Sequence, residues 1–587
     1  MEESKTSRSY YARIIEFPDL ACNAHLFPGR MLNLINSESQ QTATHVGPIS
    51  RSGMFQFLTG SALFVVTLAI IFFGLIRYRL RDMPLERDEG EYAYSGQLLL
   101  QGIPPYKLAY NMKLPGIYAA YTGILAVFGE SPAGIHLGLL LVNAASILIL
   151  YFLTALQFGR LAAAVAACSY ALLSTSSSVM GFEAHATNFV VLPAMLGILF
   201  LLLALRSKRT SLFFLGGLCS GMAILMKQHG LFFAAFCFLY LLWIHRKQRA
   251  HSATVIRHAG VFVFGVILPY AATCLWLYHA GVFQQFWFWT VSYAGEYSKI
   301  GMHRAARNFL ENSRTVIAPA LLFWILAAVG LTASLWNRGA RQHAFFLVTL
   351  LIFSFLSLCP GAFFRPHYFI LMLPITAILV GVAVNAASEG LAAHTTRRLS
   401  LIPMFVFLAA FAYSVFVQRR DYFFNTPLQV FESTYGASAF VPALEVAEHI
   451  RRESPEAAHI AVLGSEPEIY FYAHRHSATG FLYMYSLIGR QKYTALMRED
   501  MMRELQANHP DYVVYVDVWD SWGERAGVPQ AAGFLAWLQD FMKSSYERVG
   551  VADIGEQTRY VWGEPAKTYM AQSSKVIYVL KRRELLP

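Results

Sequence analysis

Apolar runs of about 20 residues recur along this chain, the length a helix needs to cross a hydrocarbon core of about 30 Å. They fall near residues 54–76, 133–156, 161–179, 187–205, 211–226, 230–244, 259–280, 315–336, 343–359, 368–387 and 398–417. The pattern predicts an all-α polytopic membrane protein with eleven spans over 54–420. One further stretch, 114–128 "LPGIYAAYTGILAVF", opens on Pro-Gly and is short for a span; it is expected to lie along the surface. Beyond residue 420 the periodicity changes. "HIAVLG", "DYVVYVDV" and "KVIYVLKR" read as strands, and "ALEVAEHIRRE" and "YTALMREDMMRELQAN" as helices with apolar residues three and four apart. Residues 421–587 are therefore expected to form a small α/β domain outside the membrane.

Loop charge sets the expected orientation. The connections "RSKRT" (206–210), "HRKQRAHSATVIRH" (245–258), "NRGARQH" (337–343) and "HTTRR" (394–398) are basic and separated by even numbers of spans, so all four belong on one side, the cytoplasmic one. Residues 1–53 hold no apolar core and read as a polar cytoplasmic tail, not a cleaved signal peptide. This topology puts 82–132, 180–186, 227–229, 281–314, 360–367 and the α/β domain on the external face of a plasma or inner membrane. One feature resists it: "RYRLR" (77–81) is basic yet falls outside.

Composition narrows the class. Charged residues make up 14% of the 587, against roughly 25% in soluble domains. The net charge of +11 is explained by membrane topology and contact with anionic lipid headgroups, with no call for nucleic acid. Six cysteines without a CxxC pair suggest buried small hydrophobes, and neither a disulfide framework nor a thiolate metal site.

Polar residues without a topological task cluster on the external face. Asp88, Glu89 and Glu91 open a helical pattern, "YAYSGQLLLQG", that ends at "GIPPY" with Tyr106. Asp88 and Glu89 at a helix start can simply cap it and complement its dipole. Held at a bilayer edge, a carboxylate is also desolvated, which raises its pKa and suits general-base work. Lys113 in "MKLPG" can be a snorkelling lysine or an anion ligand. Lys227, in "AILMKQHG" with Gln228 and His229, joins two apolar runs where the positive-inside bias disfavours a cation. Arg365 and His367 in "FFRPHYFILMLP" start a span, with Pro366 at a first helical position. A guanidinium beside a helix amino end makes a phosphate site. Glu183 and His185, in "GFEAHATN", form a fourth patch that can also be a cap. Lys299, His303, Arg304 and Arg307 can meet lipid phosphate or face solvent. No GxxxxGK[ST], GxGxxG, HExxH or GxSxG occurs, so ATP-driven transport, nicotinamide chemistry and zinc or serine hydrolysis lack motif support.

The acidic pair, "GIPPY", "MKLPG", "EAHATN", "KQHG" and "RPHYFILMLP", in this order on one face, resemble the polytopic GT-C glycosyltransferases. The branch is that of the bacterial relatives of protein O-mannosyltransferase and of the lipid A aminoarabinose transferase (glycosyltransferase families 39 and 83), and the likeness covers roughly 55–420. It implies transfer of a sugar from a polyprenyl-phosphate donor to an acceptor hydroxyl on a lipid, glycan or protein, usually with inversion, at the extracytoplasmic face. It further implies Asp88 as the base with Glu89 as its partner, Lys113, Lys227, Arg365 and His367 around the donor phosphate, and Glu91, Tyr106, Glu183, His185, Gln228 and His229 as further candidates to contact substrate. The family's Lys-Pro-Pro is Lys-Leu-Pro here. No obligatory cofactor or metal is expected, although Asp88 and Glu89 offer oxygens to a divalent cation. The competing expectations are a transporter or flippase of lipid-linked sugars, and a non-catalytic assembly partner.

Overall fold

A computed structural model describes residues 62–299, 302–396, 398–489, 491–523 and 531–583. The tail expected over 1–53 lies outside the described residues, as does the start of the first span. Among the described residues eight helical stretches are long and apolar enough to cross a membrane. One of them, Pro132–Leu173, is two helices: Gly159 breaks it at φ 84° and ψ 173°, a backbone region open to glycine. The halves fold back on one another, since Asn143 Nδ2 donates to Ser174 Oγ at 2.9 Å across 31 residues. Dividing this helix at Gly159 and adding the shorter Thr210–Met226 and Ala344–Leu356 brings the eight to eleven, one for each apolar run of the sequence.

Pro115–Phe128 is a helix of 14 residues, about 21 Å long, one residue longer than Ala344–Leu356, so where its ends pack and not its length sets its place. Its first turn packs on Leu225 at the end of Thr210–Met226, where a Cβ on Gly116 would lie 2.5 Å from the Leu225 carbonyl oxygen. Its other end leads to Glu130, which meets His474 of the C-terminal region at 3.4 Å. Both ends therefore lie on the face that carries the sheet, and the helix runs along the surface.

The basic "RYRLR" segment is explained by packing. Arg77 is buried and its guanidinium donates to the carbonyl oxygens of Gly181 and Ser174, each at 2.7 Å. Arg79 donates to the carbonyls of Tyr422 at 3.1 Å and Asn425 at 2.6 Å, and to that of Asp421. These arginines tie the end of Ala62–Arg79 to two distant chain segments, and carbonyl dipoles take up their charge. They are not free loop charges of the kind that set topology.

The C-terminal region builds a six-stranded mixed sheet in the order β2-β1-β3-β6-β4-β5. Its strands are β1 (His459–Leu463), β2 (His476–Ser477), β3 (Tyr512–Asp517), β4 (Tyr546–Asp553), β5 (Arg559–Trp562) and β6 (Val576–Arg582). β2, β1 and β3 are parallel, while β6, β4 and β5 pair antiparallel. The three strands and two helices legible in the sequence are present, the helices as Phe440–Glu453 and Thr494–Asn508. β4 escapes the alternation rule because its register shifts between Arg548 and Gly550, which breaks the period of two. One hydrophobic core runs from Leu85, Tyr94 and Tyr121 of the first loop through Tyr470 and Phe471 to Val514 and Val579 of the sheet.

Removing Arg77 leaves two buried carbonyls without a donor. Arg77→Ala is expected to destabilise the folded protein in detergent by about 3 kcal/mol. Arg81→Ala, which removes a more exposed bond to the Tyr78 carbonyl, is expected to shift the thermal midpoint far less. Equal shifts would discard the tie.

Candidate functional site

The site is organised by the helix Arg87–Leu100. Glu86 is its N-cap, accepting from the Glu89 N–H at 2.9 Å, and Glu89 Oε2 accepts from the Glu86 N–H at 3.4 Å in return. Capping thus falls to Glu86 and Glu89, and Asp88 between them is left to face outward from the box. Glu89 Oε1 also accepts from the Ala184 N–H at 2.6 Å and stands 3.1 Å from His136 Nε2. Glu89, expected as the partner of Asp88, is held by these groups. Fully buried, with both oxygens engaged, it locks the helix to a span and to the loop before Ala186–Ser207.

Successive turns of this helix are also bonded to the C-terminal region. Tyr472 Oη accepts from the Leu85 N–H at 2.9 Å, Arg87 Nε donates to the Ser465 carbonyl at 2.6 Å, and Arg87 Nη2 is 3.4 Å from Glu466. Tyr94 Oη accepts from the Ser477 N–H at 2.7 Å, and His476 Nε2 and Gln101 Oε1 lie 2.6 Å apart. At Gly90 a Cβ would sit 2.6 Å from the Glu468 nitrogen, so glycine is what lets the two backbones close.

Opposite Asp88 stands a group of cations. Asp88 Oδ2 is 3.2 Å from Lys113 Nζ and 3.9 Å from His185 Nδ1. Lys113 Nζ also donates to Tyr92 Oη at 2.9 Å, one helical turn beyond Asp88. Two residues expected as substrate contacts are bonded to the loop of Lys113. Tyr106, at φ 66° and buried, donates to the Lys113 carbonyl at 2.7 Å, and Gln228 Nε2 donates to the Met112 carbonyl at 2.8 Å. Lys227 occupies an extended joint after Thr210–Met226 with its ammonium 4.2 Å from the Tyr368 ring centroid. His229 Nδ1 bonds the Ser357 carbonyl and so holds the fold. Arg365 is exposed and precedes a 3₁₀ turn, Pro366–Leu371, with Pro366 at its first position. His367 stacks on His185, ring centroids 4.1 Å apart and planes within 20°. Among the basic residues of the 281–314 loop, Lys299 pairs with Glu296 at 2.7 Å and Arg307 with Glu311 at 2.8 Å, both in solvent.

The electrostatics follow from this placement. Burial opposes ionisation of Asp88, but Lys113, His185, Arg365 and Lys227 together outweigh it and hold the carboxyl well below the usual range. Sequence alone suggested a raised value, because it shows the bilayer edge and not the basic side chains gathered around the carboxyl. The raised carboxyl is Glu91: burial lifts it to about 7, with Lys113 opposing. Glu91, expected as a substrate contact, is enclosed by Tyr118 at 2.6 Å, Tyr483 at 2.7 Å and Asn111 at 2.8 Å. Burial and then Lys113 push Lys227 well below the ordinary lysine value. Burial lowers His185 to about 4 despite Asp88 and Glu89, and lowers His367 further with help from His185 and Lys227. The region thus has more cationic side chains than one carboxylate neutralises, which is the condition for holding an anion.

Asp88, His185 and His367 each offer one ligand atom, all within 4.8 Å of one another. Both ring nitrogens of His185 and Nδ1 of His367 are buried without a hydrogen-bond partner. One carboxylate and two neutral imidazoles fit a divalent transition metal, zinc or manganese, so the donor set differs from the Asp88 and Glu89 pair expected from sequence. Glu183 is buried nearby with its carboxyl raised by burial to about 7, and Asn188 Nδ2 donates to its backbone carbonyl at 3.0 Å.

Sequence reasoning missed Glu86, His136, Tyr368, Glu466 and Tyr483. The Glu86-x-x-Glu89 spacing is a capping-box signal that was available. The other four carry no local pattern, because their partners are 47 or more residues away or belong to ring contacts.

Residues 113–276 match the family described as dolichyl-phosphate-mannose-protein mannosyltransferase. The fold is similar to that of ArnT from Cupriavidus metallidurans bound to undecaprenyl phosphate, at 16% identity and TM-score 0.55 over 89% of this chain and 98% of that one. Against the apo state of that protein the TM-score is 0.54. Archaeal oligosaccharyltransferase AglB from Archaeoglobus fulgidus, in complex with an inhibitory peptide and a dolichol-phosphate, is similar at 12% identity and TM-score 0.50, over 89% and 76% of the two chains. No curated protein matches the chain by sequence. Eleven apolar helices, a capped surface helix presenting Asp88 to a set of cations, and a C-terminal sheet closing over it are the architecture of a multi-pass membrane protein with the fold of the GT-C glycosyltransferases.

Proposed function

We propose that this protein transfers a sugar from a polyprenyl-phosphate donor to an acceptor hydroxyl at the extracytoplasmic surface of a plasma or inner membrane. The observation that carries the reading is Asp88: a carboxylate spared from capping, 3.2 Å from Lys113 and within the field of Lys227 and Arg365. The relatives of this fold that hold undecaprenyl phosphate and dolichol-phosphate support a lipid phosphate as the anion. The basic connections at 206–210, 245–258, 337–343 and 394–398 lie at the helix ends away from the site, which favours an external site, a cytoplasmic amino terminus and an extracytoplasmic region 421–587. A transporter would need its cations along a path through the bilayer, whereas Lys113, Lys227 and Arg365 share one surface.

In this reading Lys113, Lys227 and Arg365 bind the donor phosphate. Asp88 takes the proton of the acceptor hydroxyl as its oxygen bonds to the anomeric carbon. The bond from that carbon to the phosphate oxygen breaks, its electron pair leaves on polyprenyl phosphate, and the configuration inverts. The cations then meet the charge that grows on the leaving phosphate, an electrostatic stabilisation prepared before the reaction begins. The phosphate also draws on the cations that hold Asp88 ionised, so donor binding makes Asp88 more basic when a base is needed. A divalent cation held by Asp88, His185 and His367 would add positive charge beside the phosphate. Arg87 and Glu466 hold the helix in place without touching the reacting atoms.

Asp88→Asn should lower release of polyprenyl phosphate from a synthetic donor by about 10³-fold while donor binding persists; full activity in this variant removes the base. Lys113→Ala should weaken donor binding at least about tenfold, roughly 1.4 kcal/mol; unchanged affinity removes the clamp. Glu466→Gln should cut turnover severalfold at unchanged donor affinity, because it loosens the Arg87 tie and leaves the phosphate ligands intact. Glu91 has its folded value raised from 4.5 to about 7. Its contribution to stability is present below pH 4.5 and lost as pH climbs to 7. The thermal midpoint of Glu91→Gln should therefore fall less than that of wild type over this window.

A further inference from the structure

The C-terminal sheet carries a cleft of about 490 Å³ that the proposed transfer chemistry does not use. It opens where β3 ends at Asp517, β4 ends at Asp553 and β6 begins at Val576, these three being paired in register. Asp517, Arg548, Lys567, Tyr569, Ser573 and Tyr578 are among the residues that line it. Tyr569 and Tyr578 are half-buried, and the Arg548 guanidinium lies 5.6 Å from the Tyr578 ring centroid.

The walls are held in place without any ligand. Asp553 accepts from Tyr569 Oη at 2.9 Å, from the Gln572 N–H at 2.7 Å and from the Ser573 N–H at 3.0 Å, which fixes the strap that follows Glu564–Thr568. Ala566 of that short helix packs on Val551 and Val576 beneath the cleft. Arg548 Nη2 donates to the Lys567 carbonyl at 2.5 Å, joining β4 to the strap. Lys567 pairs with Glu564 at 2.7 Å and Glu547 at 3.5 Å, so much of its charge is balanced. The remaining lining holds one guanidinium, one carboxylate, hydroxyls and two phenol rings.

That set matches a sugar chain better than a simple anion. Ring faces of Tyr take the C–H face of a pyranose, Arg donates to ring and hydroxyl oxygens, and Asp accepts from sugar hydroxyls. An anion would gain little beside Asp517. A run of chain, a hydrogen bond and an ion pair lead from the cleft toward the helix of Asp88. Asp517 continues into the turn Trp519–Ser521, where Ser521 Oγ donates to Glu466 at 2.6 Å, and Glu466 stands 3.4 Å from Arg87.

We propose that this cleft is a carbohydrate-binding site that docks a saccharide chain as acceptor for the transferase. The acceptor role rests on the glycosyl-transfer reading above; binding of the saccharide itself does not. The test uses the full-length protein in detergent and three hexasaccharide probes: maltohexaose, the N-acetylglucosamine hexamer and the galacturonate hexamer. Binding of at least one probe is expected, weakened at least tenfold by Arg548→Gln and by Tyr578→Ala and unchanged by Asp88→Asn. Polyprenyl phosphate release from donor in the absence of acceptor should be the same in Arg548→Gln as in wild type, which separates this proposal from the transfer reading. No binding of any probe, or equal binding by wild type and both variants, overturns it. Binding of the galacturonate alone that vanishes at high salt also overturns it, in favour of plain charge attraction. A circular dichroism and thermal-midpoint check on Arg548→Gln and Tyr578→Ala confirms that a loss of binding is read on folded protein.

Discussion

The structure depends on holding one short polar helix, Arg87–Leu100, between a bundle of membrane helices and a soluble sheet. Charged groups at the edge of a bilayer lose hydration, and each that is left without a partner costs several kcal/mol. The fold answers this residue by residue. Glu86 and Glu89 cap each other and the backbone, Arg87 is taken by Ser465 and Glu466, Glu91 is enclosed by Asn111, Tyr118 and Tyr483, and Asp88 faces Lys113. Only because the other charges are satisfied internally can Asp88 be left against the cations.

That division makes the sheet an integral wall of the site. Its bonds reach the helix from Leu85 to Gln101, and Gly90 is the point where the two backbones come closest. The same principle operates at Arg77 and Arg79, whose guanidinium groups are absorbed by carbonyls of remote segments. Charge near the membrane surface takes two forms in this protein, spent on internal stitching or gathered around Asp88. The stitching residues are those whose hydrogen-bonding capacity is spent inside the fold.

The gathered cations carry a strain of their own. Lys227, Arg365 and Lys113 face a single low-pKa carboxylate, and Lys227 is driven well below its ordinary value by burial and by Lys113. Non-glycine residues with left-handed backbone, Tyr106, Ala362 and Phe364, flank the loops that carry Lys113 and Arg365. The surroundings thus hold cations close together in a form that a bound anion would relieve.

Much of this architecture is legible in the chain itself. Eleven apolar runs and the strands at 459–463, 512–517 and 576–582 could be read because hydrophobic length and alternation are local consequences of burial. The surface helix at 114–128 is no shorter than the span Ala344–Leu356, so its place follows from where its ends pack, against Leu225 and toward His474. Asp88, Lys113, Lys227, Arg365 and His367 were identifiable because polar residues stand out against an apolar background. The sequence could not divide them by role. Whether an acid caps, stitches or faces a cation depends on partners that lie 20 to nearly 400 residues away, as with Glu91 and Tyr483 or Arg87 and Glu466. Hydrophobic burial is a property of each segment, so the sequence by itself determined the spans and the face on which polar groups gather. Polar groups are settled in pairs across the fold, so only the tertiary structure decided that Glu89, Glu91, Tyr106 and Gln228 are bonded within the fold while Asp88 stands against Lys113.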